Sequence, residues 1–161
     1  MVKANCVEIA IKDPVNVPAE TDRHDIQRRE DIELLVETFY TRTFEDAILG
    51  PIFVDIAQLD LPKHMPIMCD FWEGILLGAR KYPGGMMMVH FQLHQMVSLE
   101  PHHFQRWLDY WTETVDDLFE GDRATFAKMH AGRVAVAMGQ RFAELPGGPP
   151  APAPRMYFSE S

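Results

Sequence analysis

The sequence predicts an all-α protein, because apolar residues recur with a helical period and no alternating strand pattern of useful length is present. The chain has 161 residues, which suits one domain with a single hydrophobic core. The helical pattern is absent at both ends. We therefore predict a loosely structured N-terminal extension (1–24), a helical domain (25–143) and a Pro/Gly-rich C-terminal tail (144–161) that is disordered.

The first two predicted helices each have one apolar face. The first face contains Ile32, Leu35, Val36, Phe39 and Tyr40, and the second contains Met68, Phe71, Trp72, Ile75 and Ala79. Between them lies a short segment that we expect to end at Gly50-Pro51. Pro66 is expected in the first turn of the second helix, where proline is tolerated, and Gly78 is expected to end that helix.

Three further helical segments follow. A short one around residues 86–93 contains His90. Pro101 begins the next, whose apolar face contains Phe104, Trp107, Leu108, Trp111, Val115 and Leu118. The last runs to about Phe142, with Asp122 as its expected N-cap.

Composition argues against several classes of protein. The formal net charge is −9, whereas nucleic-acid binding requires basic patches. No apolar run of about 18 residues predicts a transmembrane helix, and the N-terminus does not resemble a secretory signal. The two cysteines, Cys6 and Cys69, do not suggest a disulfide framework. We expect a cytoplasmic protein.

His90 is the most informative residue because of the aromatic and polar residues around it in sequence. Phe71-Trp72 precede it, Trp107 follows it, and Phe39-Tyr40 close the first apolar face. An imidazole is a good axial ligand for haem iron. The pattern therefore suggests a haem pocket with His90 on one wall and N–H or O–H donors on the other.

Two other interpretations of these residues stay open at this point. His90-x-x-x-His94 also fits a pair of zinc ligands on one helix face, although Cys69, His102 and His103 are not at a recognised zinc spacing. Tyr40 and Trp107 would ordinarily be core aromatics. Each also carries a polar atom that needs a partner when it is buried.

Ordered motifs across residues 25–143 resemble the third group of truncated haemoglobins, which is found mainly in bacteria. The matching stretches are Phe39-Tyr40, Leu49–Phe53, His64 with Phe71-Trp72, Gly74–Gly78, Tyr82–Gly84, Met87–His90 and His103–Leu108. The resemblance implies a two-over-two helical sandwich around haem b, with His90 as the proximal iron ligand. It also implies that Tyr40 and Trp107 are distal donors and that His64 lies at the distal entrance.

Further expectations concern the rest of the pocket. We expect Phe71 and Met68 to line the haem, and Tyr82 and Arg106 are candidates for its propionates, as are Arg80 and Lys81, because basic groups pair well with carboxylates. The expected ligands at iron are dioxygen, nitric oxide and carbon monoxide.

Two hydrogen-bond donors would slow dioxygen release about a hundredfold, which favours redox or detoxification chemistry over transport. Such chemistry needs an unidentified reductase, and nitric oxide dioxygenase-like or peroxidase-like turnover is left open. The alternatives are a haem-based gas or redox sensor without turnover, and a haem-free helical module.

Overall fold

The structure, a computed structural model, describes residues 22–155. Its helices are α1 (Arg29–Glu45), α2 (Leu49–Pro51), α3 (Leu61–Leu77), α4 (Met86–Met96), α5 (Pro101–Leu118) and α6 (Asp122–Ala143), with a π-helical turn (Ile52–Ile56) directly after α2. Residues 22–155 contain no strand. The all-α prediction is confirmed.

Four long helices form two stacked layers. Helix α1 packs on α3 in one layer, α5 packs on α6 in the other, and the layers meet where α1 contacts α5 and α3 contacts α6. Trp72 of α3 and Trp111 of α5 stack at this junction, with ring centroids 4.3 Å apart. The Trp111 indole N–H donates to the carbonyl of Ala127 at 3.2 Å. This is the two-over-two arrangement expected from the sequence.

Helix α3 begins one turn earlier than predicted. Asp60 is its N-cap, with its carboxylate accepting a long hydrogen bond from the Lys63 N–H at 3.4 Å, and Pro62 occupies the first turn. Pro66 therefore lies inside the helix, and its placement in the first turn was wrong. The other end matches the prediction, because Gly78 caps the helix with φ 76°.

The short segment after α1 was predicted to end at Gly50-Pro51. In the structure it continues past these residues. The chain proceeds without a break into the π-helical turn. Gly50 is needed for packing rather than for a stop: a Cβ there would lie 2.5 Å from the carbonyl oxygen of Phe44.

Asp122 is not the N-cap of α6. The helix begins at Asp122 with Gly121 as N-cap, and the side chain that satisfies its first N–H groups is Asp25. The Asp25 carboxylate accepts from the N–H of Arg123 at 3.0 Å and of Ala124 at 2.9 Å. A remote carboxylate thus performs the capping role that was assigned to the neighbouring one.

The described part of the C-terminal tail contacts the helices. Leu145 and Ala151 pack against a second apolar cluster made of Ile52, Val97, Leu99, Met138 and Phe142. Residues 1–21 and 156–161 lie outside the described residues, so most of the N-terminal extension and the end of the tail do too. The domain boundaries stay a prediction.

Within residues 22–155, none of the helices is long and apolar enough to cross a membrane.

Candidate functional site

The imidazole ring of His90, on α4, is held in one orientation by a hydrogen bond. The ring is half-buried, and its Nδ1 lies 2.8 Å from the carbonyl oxygen of Met86, one turn earlier. A carbonyl can only accept, so Nδ1 carries the proton and Nε2 keeps a free lone pair. Burial lowers the pKa of His90 below its ordinary value, which favours the neutral ring. A neutral imidazole with one nitrogen fixed by a carbonyl is the usual form of a histidine ligand to a metal.

Tyr40 lies near the end of α1 among aromatic rings. Its ring meets Phe39, Phe44 and Phe53 edge-on, with centroid distances of 4.9, 5.9 and 5.7 Å. Burial raises the pKa of Tyr40, so the hydroxyl stays protonated at all ordinary pH values. The hydroxyl makes no hydrogen bond to any residue between 22 and 155. The half-buried Tyr40 hydroxyl is therefore a donor that no other described residue engages.

Trp107 reaches the same region from α5. Its ring meets Phe39 edge-on at 5.8 Å, so Phe39 contacts both predicted donors. Trp107 also stacks parallel to Trp111 at 6.2 Å. The two indoles differ in bonding, because Trp111 donates to Ala127 whereas the Trp107 N–H has no acceptor among the described residues.

The predicted haem-lining residues of α3 share one half-buried surface. Phe71 contacts Trp72, Tyr82 and His130, with Tyr82 edge-on at 5.2 Å. Met68 packs against the same core cluster from one turn earlier. Tyr82 thus lies against Phe71, and its role at a propionate stays a prediction.

His64 lies in the first turns of α3 and is half-buried. Its backbone N–H bonds to Asp60, and its ring has no partner among residues 22–155. A ring that no hydrogen bond holds can change rotamer at low cost. The gating role stays a prediction that this position permits.

Arg106 has a protein partner that competes with any propionate. Its Nε and Nη2 donate to the Asp46 carboxylate at 2.7 and 2.5 Å, and the Tyr110 hydroxyl donates to the same carboxylate at 2.7 Å. Asp46 is buried and also accepts from the N–H groups of Ile48 and Leu49. The propionate role of Arg106 stays a prediction. The exposed Arg80 and Lys81 are the alternatives, although Lys81 also has a protein partner in Glu73, at 3.2 Å.

The contacts of His94 argue against a zinc site formed by His90 and His94. Both ring nitrogens of His94 are engaged: Nδ1 accepts from the Leu99 N–H at 3.0 Å, and Nε2 lies 3.1 Å from the carbonyl oxygen of Leu145. His94 therefore has no free lone pair with which to form a pair with His90.

Glu100, His102 and His103 also lie close enough together to hold a metal ion. However, the His103 Nδ1 already accepts the N–H of Glu100 at 2.9 Å, which is a helix-capping contact. The cluster therefore has an evident structural role at the start of α5.

Sequence reasoning missed Cys69 as a neighbour of Tyr40. Cys69 is buried on α3, and its proximity contributes to the raised pKa of Tyr40. Burial raises the pKa of the Cys69 thiol to about 11, so it is uncharged at neutral pH. The available signal was the spacing of Cys69 three residues before Trp72, which places both on one helix face.

The described residues include the kinds of side chain that a haem site needs. A histidine with a free Nε2 lies on α4, while α1 and α5 supply an O–H and an N–H that lack acceptors between residues 22 and 155. Apolar and aromatic side chains of α3 pack on the same core cluster as Tyr40 and Trp107. This donor set suits a polar diatomic ligand at an iron held by imidazole.

Two comparisons with known proteins agree with this geometry. A group 3 truncated hemoglobin of Campylobacter jejuni is 26% identical over 110 residues, which covers 66% of this chain and 84% of that protein. The crystal structure of a group III truncated hemoglobin from Campylobacter jejuni matches with a TM-score of 0.67 and 24% identity, over 78% of this chain and 98% of that one. No family model matches the chain.

The fold is therefore that of a truncated globin, and the resemblance to group III truncated haemoglobins that the sequence motifs predict is confirmed.

Proposed function

We propose that this globin binds haem b through His90 and binds dioxygen, nitric oxide or carbon monoxide at the iron. The similarity to group 3 truncated hemoglobin supports a globin haem protein. The observation that carries the finer proposal is the half-buried Tyr40 hydroxyl, which stays protonated and has no hydrogen-bond partner among residues 22–155. A donor that no described residue engages is available to a negatively polarised ligand, and hydrogen bonds to charged groups contribute roughly 1.5–3 kcal/mol.

When bound, the haem would supply the iron at which diatomic ligands bind and exchange electrons. Side chains of the protein would hold the iron, stabilise the bound ligand and control its entry. His90 would hold the iron through Nε2 while Met86 fixes its ring. Tyr40 and Trp107 would donate hydrogen bonds to the outer atom of the ligand, and His64 would control entry.

Two charge-assisted hydrogen bonds contribute roughly 1.5–3 kcal/mol each, which makes ligand release slow. Slow release is poorly suited to transport, so we propose redox or detoxification chemistry driven by a separate reductase in the cytoplasm of a bacterium.

Two measurements test this proposal. Addition of haem to the purified chain should produce a Soret band, and absence of the band would exclude a haem protein. Nitric oxide consumption by the ferrous, oxygenated protein should then proceed with multiple turnovers when a reductase is supplied. Binding without turnover would favour a sensor.

A further inference from the structure

The helix that carries His90 packs on the second apolar cluster through the half-buried side chains of Met86, Phe91 and Leu93. Only His94 is fully buried among the eleven residues of α4, all of which are described. Met87, Met88 and Val89, on the turn before and beside His90, are exposed. The N-cap residue is Gly85, which has no side chain with which to cap the helix. Because apolar contacts are not directional, the interactions that can fix the rotation of α4 on this cluster are the hydrogen bonds of His94.

His94 is fixed on three sides. Its Nδ1 accepts from Leu99 at 3.0 Å, which closes the C-terminal end of α4. Nδ1 is then the unprotonated nitrogen, so Nε2 carries the proton and donates to the carbonyl of Leu145 at 3.1 Å. The ring also stacks on Phe142 of α6, with centroids 5.1 Å apart and planes at 14°.

The C-terminal tail adds backbone bonds at the same place. The Gly148 N–H donates to the carbonyl of His94 at 2.8 Å, and the Ser98 N–H donates to the carbonyl of Pro149 at 2.9 Å. The Ser98 hydroxyl donates to the carbonyl of Gly148 at 2.5 Å. The C-terminal end of α4 thus gains hydrogen-bond partners that its own helix cannot supply.

The two glycines of the tail are required by close approach. A Cβ on Gly148 would overlap the backbone carbonyl of Gln95, which cannot move without displacing α4. A Cβ on Gly147 would lie 2.6 Å from the Ser98 hydroxyl and 2.7 Å from the His94 ring. The Gly147-Gly148 sequence therefore permits the tail to lie directly on the helix.

Beyond this point the tail continues to the segment around α2. The Arg155 N–H donates to the carbonyl of Ala47 at 3.1 Å, and its guanidinium pairs with Asp55 at 3.2 Å. Ala47 precedes α2, and Asp55 lies in the π-helical turn that also carries Phe53, a neighbour of Tyr40. The described tail thus connects the end of α4 to the segment beside the predicted distal wall.

We propose that His94 is a positioning residue for His90. The tail residues 145–149 form a clasp with His94 and Ser98. This clasp holds α4 at the depth and rotation that direct the His90 Nε2 toward the iron. His90 lies four residues before His94, so the two share one face of α4. Any rotation of the helix at His94 is transmitted to His90. The inference rests on the proposed haem-binding function.

The first test uses hydrogen exchange in the purified full-length chain, haem-loaded where it binds haem. Gly148→Ala should speed exchange of the α4 amides by about tenfold or more, because the clasp no longer closes. Gly132→Ala is the matched control: it lies inside α6, and a Cβ there would meet nothing within 4 Å. If the α4 amides exchange at the same rate in the two variants, the proposal of a clasp is wrong.

The second test reads His90 directly. His94→Phe keeps an aromatic ring on Phe142 and removes both hydrogen bonds. In the ferrous, ligand-free protein it should shift or broaden the iron–histidine stretching band in resonance Raman spectra, as should Gly148→Ala. Gly132→Ala should leave that band unchanged. A band that is unchanged in all three variants would overturn the positioning role of His94.

The two proposals fail in different ways. A wild-type chain that binds no haem would overturn the proposed function and the positioning of His90 toward iron with it. A wild-type chain with a histidine-ligated haem and variants that match the Gly132→Ala control would overturn the clasp alone.

Discussion

Asp46 and Arg106 form a two-point ion pair between the end of α1 and the middle of α5, with N–O distances of 2.7 and 2.5 Å. Asp46 lies six residues after Tyr40, and Arg106 directly precedes Trp107. The pair therefore fixes, relative to each other, the two helices that carry the predicted distal donors.

Asp46→Asn should destabilise the protein, because it leaves the Arg106 guanidinium, the Tyr110 hydroxyl and the N–H groups of Ile48 and Leu49 without a charged acceptor. Asp46 is buried but the Arg106 side chain is 40% exposed, so the loss in free energy of unfolding should stay below the roughly 3–5 kcal/mol of a fully buried pair and be on the order of 1–3 kcal/mol. Urea unfolding at neutral pH measures this. Asp116→Asn is the control, since its pair with Lys128 is half exposed and should contribute no more than about 1 kcal/mol.

The same variant should change the acid sensitivity of folding. Burial alone would raise the pKa of Asp46, but the bonds from Arg106, Leu49 and Tyr110 outweigh it and hold the pKa well below the usual range. The stabilisation is then fully present above the unfolded pKa of about 3.9 and is lost as the pH falls through the folded value. Parallel unfolding free energies of wild type and Asp46→Asn below about pH 4 would contradict this assignment.

His90→Ala should lose stable haem, because no other described histidine on α4 has a free nitrogen. Added imidazole should restore the Soret band by occupying the space of the missing ring. His94→Phe should keep a histidine-ligated spectrum, even if its iron–histidine band shifts. Loss of histidine ligation in His94→Phe and its retention in His90→Ala would reverse the assignment.

Tyr40→Phe removes the hydroxyl and keeps the ring contacts with Phe39, Phe44 and Phe53. Dioxygen release should speed by about tenfold, which corresponds to a hydrogen bond of about 1.4 kcal/mol. Stopped-flow displacement by carbon monoxide measures the rate. Slower release would mean that Tyr40 orients another donor, since networks of hydrogen bonds are not pairwise additive.

Trp107→Phe should speed dioxygen release and autoxidation while leaving folding largely intact. The indole N–H has no acceptor among residues 22–155, so its removal breaks no described hydrogen bond. Trp111→Phe is the matched control, because it breaks the bond to Ala127 and disturbs the stack on Trp72. Trp111→Phe should therefore lower stability without a direct effect on the ligand. Unchanged release in Trp107→Phe would assign Trp107 to core packing.

His64→Ala should change the association rate of carbon monoxide more than the dissociation rate of dioxygen. Flash photolysis and stopped-flow mixing give the two rates. If dissociation responds more strongly, His64 contacts the ligand. If neither responds, entry follows another route, and the cavity of about 220 Å³ between α1 and α3 that reaches Cys69 is the next to test.

The helical architecture could be predicted because each long helix has its own apolar face, which local spacing reveals. Short-range rules failed where a partner is distant in sequence. Asp122 satisfies every local criterion for an N-cap, yet Asp25 performs that role from a segment 98 residues earlier. In the same way, the sequence identifies Arg106 as a cation but not Asp46 as its partner 60 residues away.

The two histidines of α4 illustrate the limit for the site. His90 and His94 are one turn apart, and spacing alone cannot distinguish a free imidazole from one that holds the backbone together. The distinction depends on Leu145, which follows the last helix and belongs to a segment whose composition indicated disorder. A high content of proline and glycine indicates that a segment does not form a helix. It does not indicate which surface of the protein that segment contacts.

The capping of α6 by Asp25 has a consequence for biosynthesis. A ribosome adds Asp25 before it makes α1 and reaches Ala124 only 99 residues later. The segment before α1 therefore has no docking place until most of the domain has been made, and α6 starts without a cap if that segment is engaged elsewhere. Folding should then proceed as a single late event after the final helix leaves the exit tunnel, rather than helix by helix from the N-terminus.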